Sequence, residues 1–166
     1  MNISVDTNVL VRAILADDPV QARAARRLLK EASTIAVPLP CLCELVWILR
    51  RGAKLTTADV AAAIRALLNT GNVAMNRPAG EAGLRLLSRF RKSGRRFCDE
   101  TLRPAKDLSG GCAGVPTQLC LEAGGDFADG VIAYEGRWLG GETFVSFDRK
   151  AVSLLSQHGE AAQLLS

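Results

Sequence analysis

The chain has 166 residues, 48% of them apolar and 23% charged, with a formal charge of +4. That length suffices for one ordinary domain with its own core, and no apolar run approaches the roughly 18 residues needed to span a bilayer. The amino terminus, MNISVDTNVLV, carries an Asp within its apolar stretch and no basic region ahead of it, so it does not read as a secretory signal and a cytoplasmic protein is expected.

Ile3 to Val5 reads as a short buried strand that ends at Asp6. DDPVQARAARRLLKEAS has the grammar of a helix start, with Asp17 or Asp18 as cap and Pro19 at the first helical position. Val20, Ala24, Leu28 and Leu29 would form its apolar stripe. TIAVP is a second short strand. PCLCELVWILRRG then reads as one helix, with Leu42, Leu45, Val46 and Leu49 at helical spacing and Gly52 as its stop. LTTADVAAAIRALLNTG is a helix capped by Thr56 or Thr57, VAM (73–75) a weak strand, and RPAGEAGLRLLSRF a helix entered through Pro78.

Periodicity then fails across KSGRRFCDETLRPAKDLSGGCAGVPTQLCL. Residues 88–121 hold seven bases and three acids, so the whole net charge of +4 falls in this segment and the rest of the chain is balanced. Three of the five cysteines lie here too. The number is odd and no pair has C-x-x-C spacing, so the cysteines read as buried thiols, with Cys41 and Cys43 pointing apart on their helix. Order resumes at EAGGDFADGVIAYEGRWLGG, a helix stopped by Gly140 and Gly141. ETFVSFD is a strand ending in Asp148, RKAVSLLSQHG a short helix, and a tail completes the chain. Strands alternating with helices predict an α/β fold with a mainly parallel sheet.

Four acids stand out by position. Asp6 follows the first strand and Asp148 the last strong one, and ligands of open α/β sheets gather outside the carboxyl ends of strands. Glu44 interrupts the apolar CLCELVWIL, where an unpartnered buried carboxylate would cost several kcal/mol. Asp129 lies one turn into the helix opened by GGDFADG. Each aspartate also has a purely structural reading: Asp6 as an Asx turn in DTN, Asp126 as a helix cap with Asp129 favoured by the helix dipole, and Asp148 as the cap of the next helix. Together, four acids at strand ends and helix starts form a natural cation cage.

VDTNVLVR, CELVWILR, DFADGVIAYEGRWLG and TFVSFD, in this order, resemble the PIN-domain ribonucleases, and within them the toxin subunits of VapBC-type toxin–antitoxin pairs. The resemblance covers residues 1–87 and 122–166. It implies a three-layer α/β/α domain over 1–166, interrupted by an insertion at about 88–121. It also implies metal-dependent hydrolysis of RNA, with Asp6, Glu44, Asp129 and Asp148 as the catalytic acids. Asp6 and Asp129 are the first choice as direct metal ligands, while Glu44 and Asp148 hold metal waters or act as base. Asp126 is an accessory acid or a cap. Asn8 and Ser146 fall where the family places polar groups near the pocket, and Arg12 is the nearest candidate for holding substrate phosphates. A cognate antitoxin and a homodimer through the early helices are implied as partners.

The chemistry agrees with the residue types. Crowded carboxylates repel one another, and a hard cation relieves them; Mg²⁺ is expected, with Mn²⁺ able to substitute. The single histidine, His158, excludes a paired-histidine mechanism by count. A haloacid-dehalogenase-type phosphatase would need a second Asp where Asn8 stands. One feature departs from the family: Glu44 and Asp129 stand 85 positions apart, a longer spacing than its usual one. The excess segment reads as a passive excursion, as a basic RNA or partner surface, or as a disruption that leaves a catalytically inactive PIN-like binding protein.

Overall fold

The computed structural model describes residues 1–89 and 127–166, with side chains up to Leu87 and from Phe127 onward. The segment expected as an insertion, beyond its first residues, and the expected accessory acid Asp126 lie outside the described residues. Strand β1 (Asn2–Val5) is buried from Ile3 to Val5 and pairs in parallel on both sides. A strand covered on both faces encloses every side chain, so Ser4 is as buried as Ile3 and Val5, and its hydroxyl donates to the Ile132 carbonyl. Helix α1 (Thr7–Leu15) follows at once, α2 spans Pro19–Glu31, and β2 (Thr34–Ala36) lies beside β1. Helix α3 (Leu39–Trp47) runs into a π-helical turn at Ile48–Gly52, and α4 (Thr57–Asn69) precedes β3 (Val73–Ala74) and α5 (Arg77–Arg89). After the undescribed segment come α6 (Phe127–Trp138), β4 (Thr143–Ser146), α7 (Arg149–Gln157) and β5 (Ala162–Leu164).

Among the described residues the sheet has five strands, all parallel, in the order β3-β2-β1-β4-β5. With seven α-helices around it among the described residues, this is the expected α/β architecture with three layers. The chain winds from β1 toward β2 and β3, then returns to the other side of β1 as β4 and β5. The reversal falls between β1 and β4, and it opens a crevice outside their carboxyl ends. Register fixes that crevice: Val5 pairs with Val145, and the Asp6 amide donates to the Val145 carbonyl at 3.1 Å. Ile3, Val5, Val9, Leu45, Leu49 and Val145 are wholly buried beneath it. No helix among the described residues is long and apolar enough to cross a membrane.

Several local expectations change. Helix α1 was not evident: it has nine residues, and Val9, Val11 and Ile14 favour strand, so its formation depends on burying Val9 and Leu10. Asp18, not Asp17, caps α2 by accepting from the Val20 and Gln21 amides, and Pro19 stands at its first position as expected. Val20 faces solvent at 60% exposure, while Ala22 and Ala25 pack inward. Thr56 caps α4, where its hydroxyl accepts from the Asp59 amide. The tail contributes β5, which pairs with β4 at Phe144 and Ala162.

Cys41 and Cys43 do point apart, but only Cys41 is buried. Burial pushes the Cys41 thiol up to about 12, against the pull of the Thr7 hydroxyl. In the folded protein iodoacetamide at mildly alkaline pH should therefore modify Cys43 and spare Cys41, as read by peptide mass spectrometry. The same shift leaves stability untouched below about 9 and lowers it above that value, because the unfolded chain loses this proton first. Rapid labelling of Cys41 under native conditions would contradict the packing of α3.

Candidate active site

Asp6 ends β1 and caps α1, and its carboxylate is tied down on both oxygens. Oδ1 accepts from the Thr7 amide at 2.6 Å; Oδ2 accepts from the Asn8 side-chain amide and from the Ser146 hydroxyl, each at 2.6 Å. Ser146 is the last residue of β4 and is fully buried. Its oxygen in turn accepts from Asn8 at 2.9 Å and from the Asp148 amide at 2.9 Å. Asn8 completes the bridge by accepting from the Phe147 amide at 3.2 Å. The ends of two neighbouring strands are thus laced together, and the lacing fixes the Asp6 carboxylate. Ser146 positions Asp6 and is not on the cavity wall, whereas Asn8 is.

A cavity of about 860 Å³ opens at this point. Asp6, Glu44, Asp129 and Asp148 all line it, each from a different stretch of chain. Glu44 is not on a buried face, as its apolar surroundings suggest; it is exposed on the cavity wall, while Leu42, Leu45 and Leu49 turn into the core. Its Oε2 accepts from the Thr7 hydroxyl at 2.7 Å. Asp129 is half-buried in the first turn of α6. Asp148 lines the cavity and also caps α7, with Oδ1 accepting from the Lys150 amide at 2.7 Å and the Ala151 amide at 3.4 Å. Capping and lining the pocket are therefore one arrangement, since a capping carboxylate sits at the mouth of its helix.

The cavity has two ends. Along α1 it is lined by Asn8, then Val11 and Arg12, then Leu15; along α3 and the π turn by Glu44, Ile48 and Gly52; along α7 by Asp148, Ala151 and Leu154. These spacings of three or four put each set on one helix face. In all three the acidic or polar member comes first, so the trough runs from an acidic head to an apolar tail. Leu15 lies nine residues beyond Asp6, about 13 Å along the axis at ~1.5 Å per residue. Arg12 and Asp17 form an ion pair that also lines the cavity, as does Lys150.

Burial pushes the Asp6 carboxyl above its ordinary value; bonds from Ser146 and Thr7 pull it back, and the charges of Glu44 and Asp148 push it further up. A cation at the acidic head would relieve that cost. Among the described residues no three acidic, histidine or cysteine side chains stand close enough together to hold an ion directly. The donor set nevertheless fits Mg²⁺ or Mn²⁺: all donors are hard oxygens, and Mg²⁺ takes about one or two carboxylates and keeps several waters. Thr7, Asp17, Lys150 and the apolar tail were not foreseen as site residues. Thr7 had a signal in its place between Asp6 and Asn8; Asp17 was read only as a possible cap.

Searches against curated proteins and against solved structures gave no match. Residues 3–103 match the family model of the PIN domain, whose members are typically nucleases and generally use divalent metals. The matched region contains Asp6 and Glu44 but ends before Asp129 and Asp148, which only the folded chain brings to the same cavity. It spans more than half of the chain, so the protein belongs to the PIN-domain family.

Proposed function

We propose that the protein is a metal-dependent endoribonuclease, the cytoplasmic toxin of a toxin–antitoxin pair. The observation that carries this reading is the meeting of Asp6, Glu44, Asp129 and Asp148 on the walls of one cavity at the sheet's switch point. Asp6 and Asp129 would hold Mg²⁺, or Mn²⁺ in its place, and Asp148 would hold metal waters. When bound, the cation supplies Lewis-acid polarisation of the phosphodiester and a water of lowered pKa. Glu44, held through Oε2 by Thr7, takes a proton from the attacking water at Oε1. Asn8 and Ser146 keep Asp6 from turning away. Among the described residues, five carboxylates line the cavity against Arg12 and Lys150, and these two bases would engage substrate phosphates.

Cleavage by a water nucleophile leaves 5′-phosphate and 3′-hydroxyl ends. Purified protein should cut single-stranded RNA with Mg²⁺ or Mn²⁺, stop on chelation, and leave those ends. Chelator-insensitive cleavage, or 2′,3′-cyclic phosphate products, would contradict the proposal. A homodimer fits the exposed Trp47 on α3 and the exposed Tyr134 and Trp138 on α6, whose rings lie 6.4 Å apart. A cognate antitoxin that covers the cavity completes the reading.

A further inference from the structure

Arg12 projects from the face of α1 that also carries Asn8, and it shares the cavity with the four carboxylates. Long side chains on a helix lean toward its amino terminus and lie over the preceding turn. For Arg12 that direction leads over Asn8 to the acidic head, where a guanidinium would pair with the carboxylates. The structure holds it the other way. Arg12 pairs with Asp17, which lies beyond the carboxyl end of α1. Ala16 makes this possible: its left-handed backbone, φ 53°, turns the chain back, and its amide donates to the Arg12 carbonyl at 3.1 Å. A left-handed alanine is uncommon and strained, so the turn is maintained against a local preference.

Asp17 has no capping duty, because Asp18 caps α2. The pair is also too exposed, at 34% and 49% of the two side chains, to matter much for stability. Its partner does hold the Asp17 carboxyl below the ordinary range.

We propose that Asp17 is a positioning residue: it draws the Arg12 guanidinium toward the carboxyl end of α1 and so keeps it off the carboxylates that bind the metal. The arginine is thereby reserved for substrate phosphate at the far end of the trough and is prevented from acting as an internal counter-ion. This role rests on the metal-site reading above, and the test separates the two.

The probe is Mn²⁺ alone, titrated calorimetrically into chelator-treated wild type, Asp17→Asn, Arg12→Gln and the double variant, near physiological salt. Asp17→Asn should fold with an unchanged melting point and bind Mn²⁺ roughly tenfold more weakly, while the same substitution in the Arg12→Gln background should change binding by less than about twofold. Equal weakening in both backgrounds would show a mere loss of negative charge and overturn the proposal. So would Mn²⁺ binding by Asp17→Asn that equals wild type, which would leave the metal site itself standing. Failure of the wild type to bind Mn²⁺ would remove the metal site, and this role with it.

Discussion

Asp6→Asn should lower metal-dependent RNA cleavage by at least about a hundredfold, since even an outer partner of a metal ligand costs ~10–100-fold in affinity or activity. The substitution keeps an oxygen for the Thr7 amide, so the cap on α1 survives. It replaces the other oxygen with a donor that faces the Asn8 amide and the Ser146 hydroxyl, which costs about 1–3 kcal/mol of unmet hydrogen bonding. Against that, burial already disfavours the Asp6 charge, and a neutral amide removes the penalty. The two effects oppose each other, so the fold should persist while activity is lost. Asp129→Asn should reproduce the loss of activity. Single-turnover cleavage beside circular dichroism is the measurement, and undiminished turnover by either variant would reject the assignment.

Gly136→Ala should be the most damaging small substitution for the fold. Helix α6 crosses β1 so closely that a Cβ at Gly136 would lie 1.8 Å from Ser4 Oγ and 2.4 Å from Ser4 Cβ. Neither atom can move aside, because Ser4 is buried at 2% exposure in the central strand and its hydroxyl donates to the Ile132 carbonyl. The helix must therefore shift off the sheet, at a cost of about 1–3 kcal/mol or more for overpacking. Asp129 rides on the same helix, so activity should fall as well. Adding Ser4→Gly removes both clashing atoms and should restore part of the stability in urea unfolding. An unchanged midpoint for Gly136→Ala alone would contradict the close approach of α6 and β1.

Much of this architecture was legible in the sequence where local chemistry decides it. Pro19 behind an Asp pair, Thr56 ahead of ADV, and the glycines after Trp138 mark helix ends through caps and turns that need no distant partner. Asp6 and Asp148 could be assigned to one crevice because both follow strands, and parallel pairing of β1 with β4 put them there. What escaped was decided by tertiary contact. Helix α1 is short and rich in β-branched residues, and β5 is three residues long, so both form mainly because the core offers a place to pack. Glu44 stands on the cavity wall in line with Ile48, and its apolar neighbours in sequence hid this because Leu42, Leu45 and Leu49 turn to the core on the other side of the helix. The bonds from Ser146 to Asp6 and from Asn8 to Ser146 join residues about 140 positions apart, and no local signal encodes them. Asp17 looked like a second candidate cap until Asp18 took that duty.

The proposed activity requires a divalent cation at the acidic head of the cavity, between Asp6 and Asp129. Crystals grown with Mn²⁺ and measured for its anomalous scattering test it most directly. One strong peak is expected between these two carboxylates, with oxygen contacts of about 2.0–2.2 Å and Glu44 and Asp148 reached through water. An empty acidic head at saturating Mn²⁺, or a peak bound elsewhere on the protein, would contradict it.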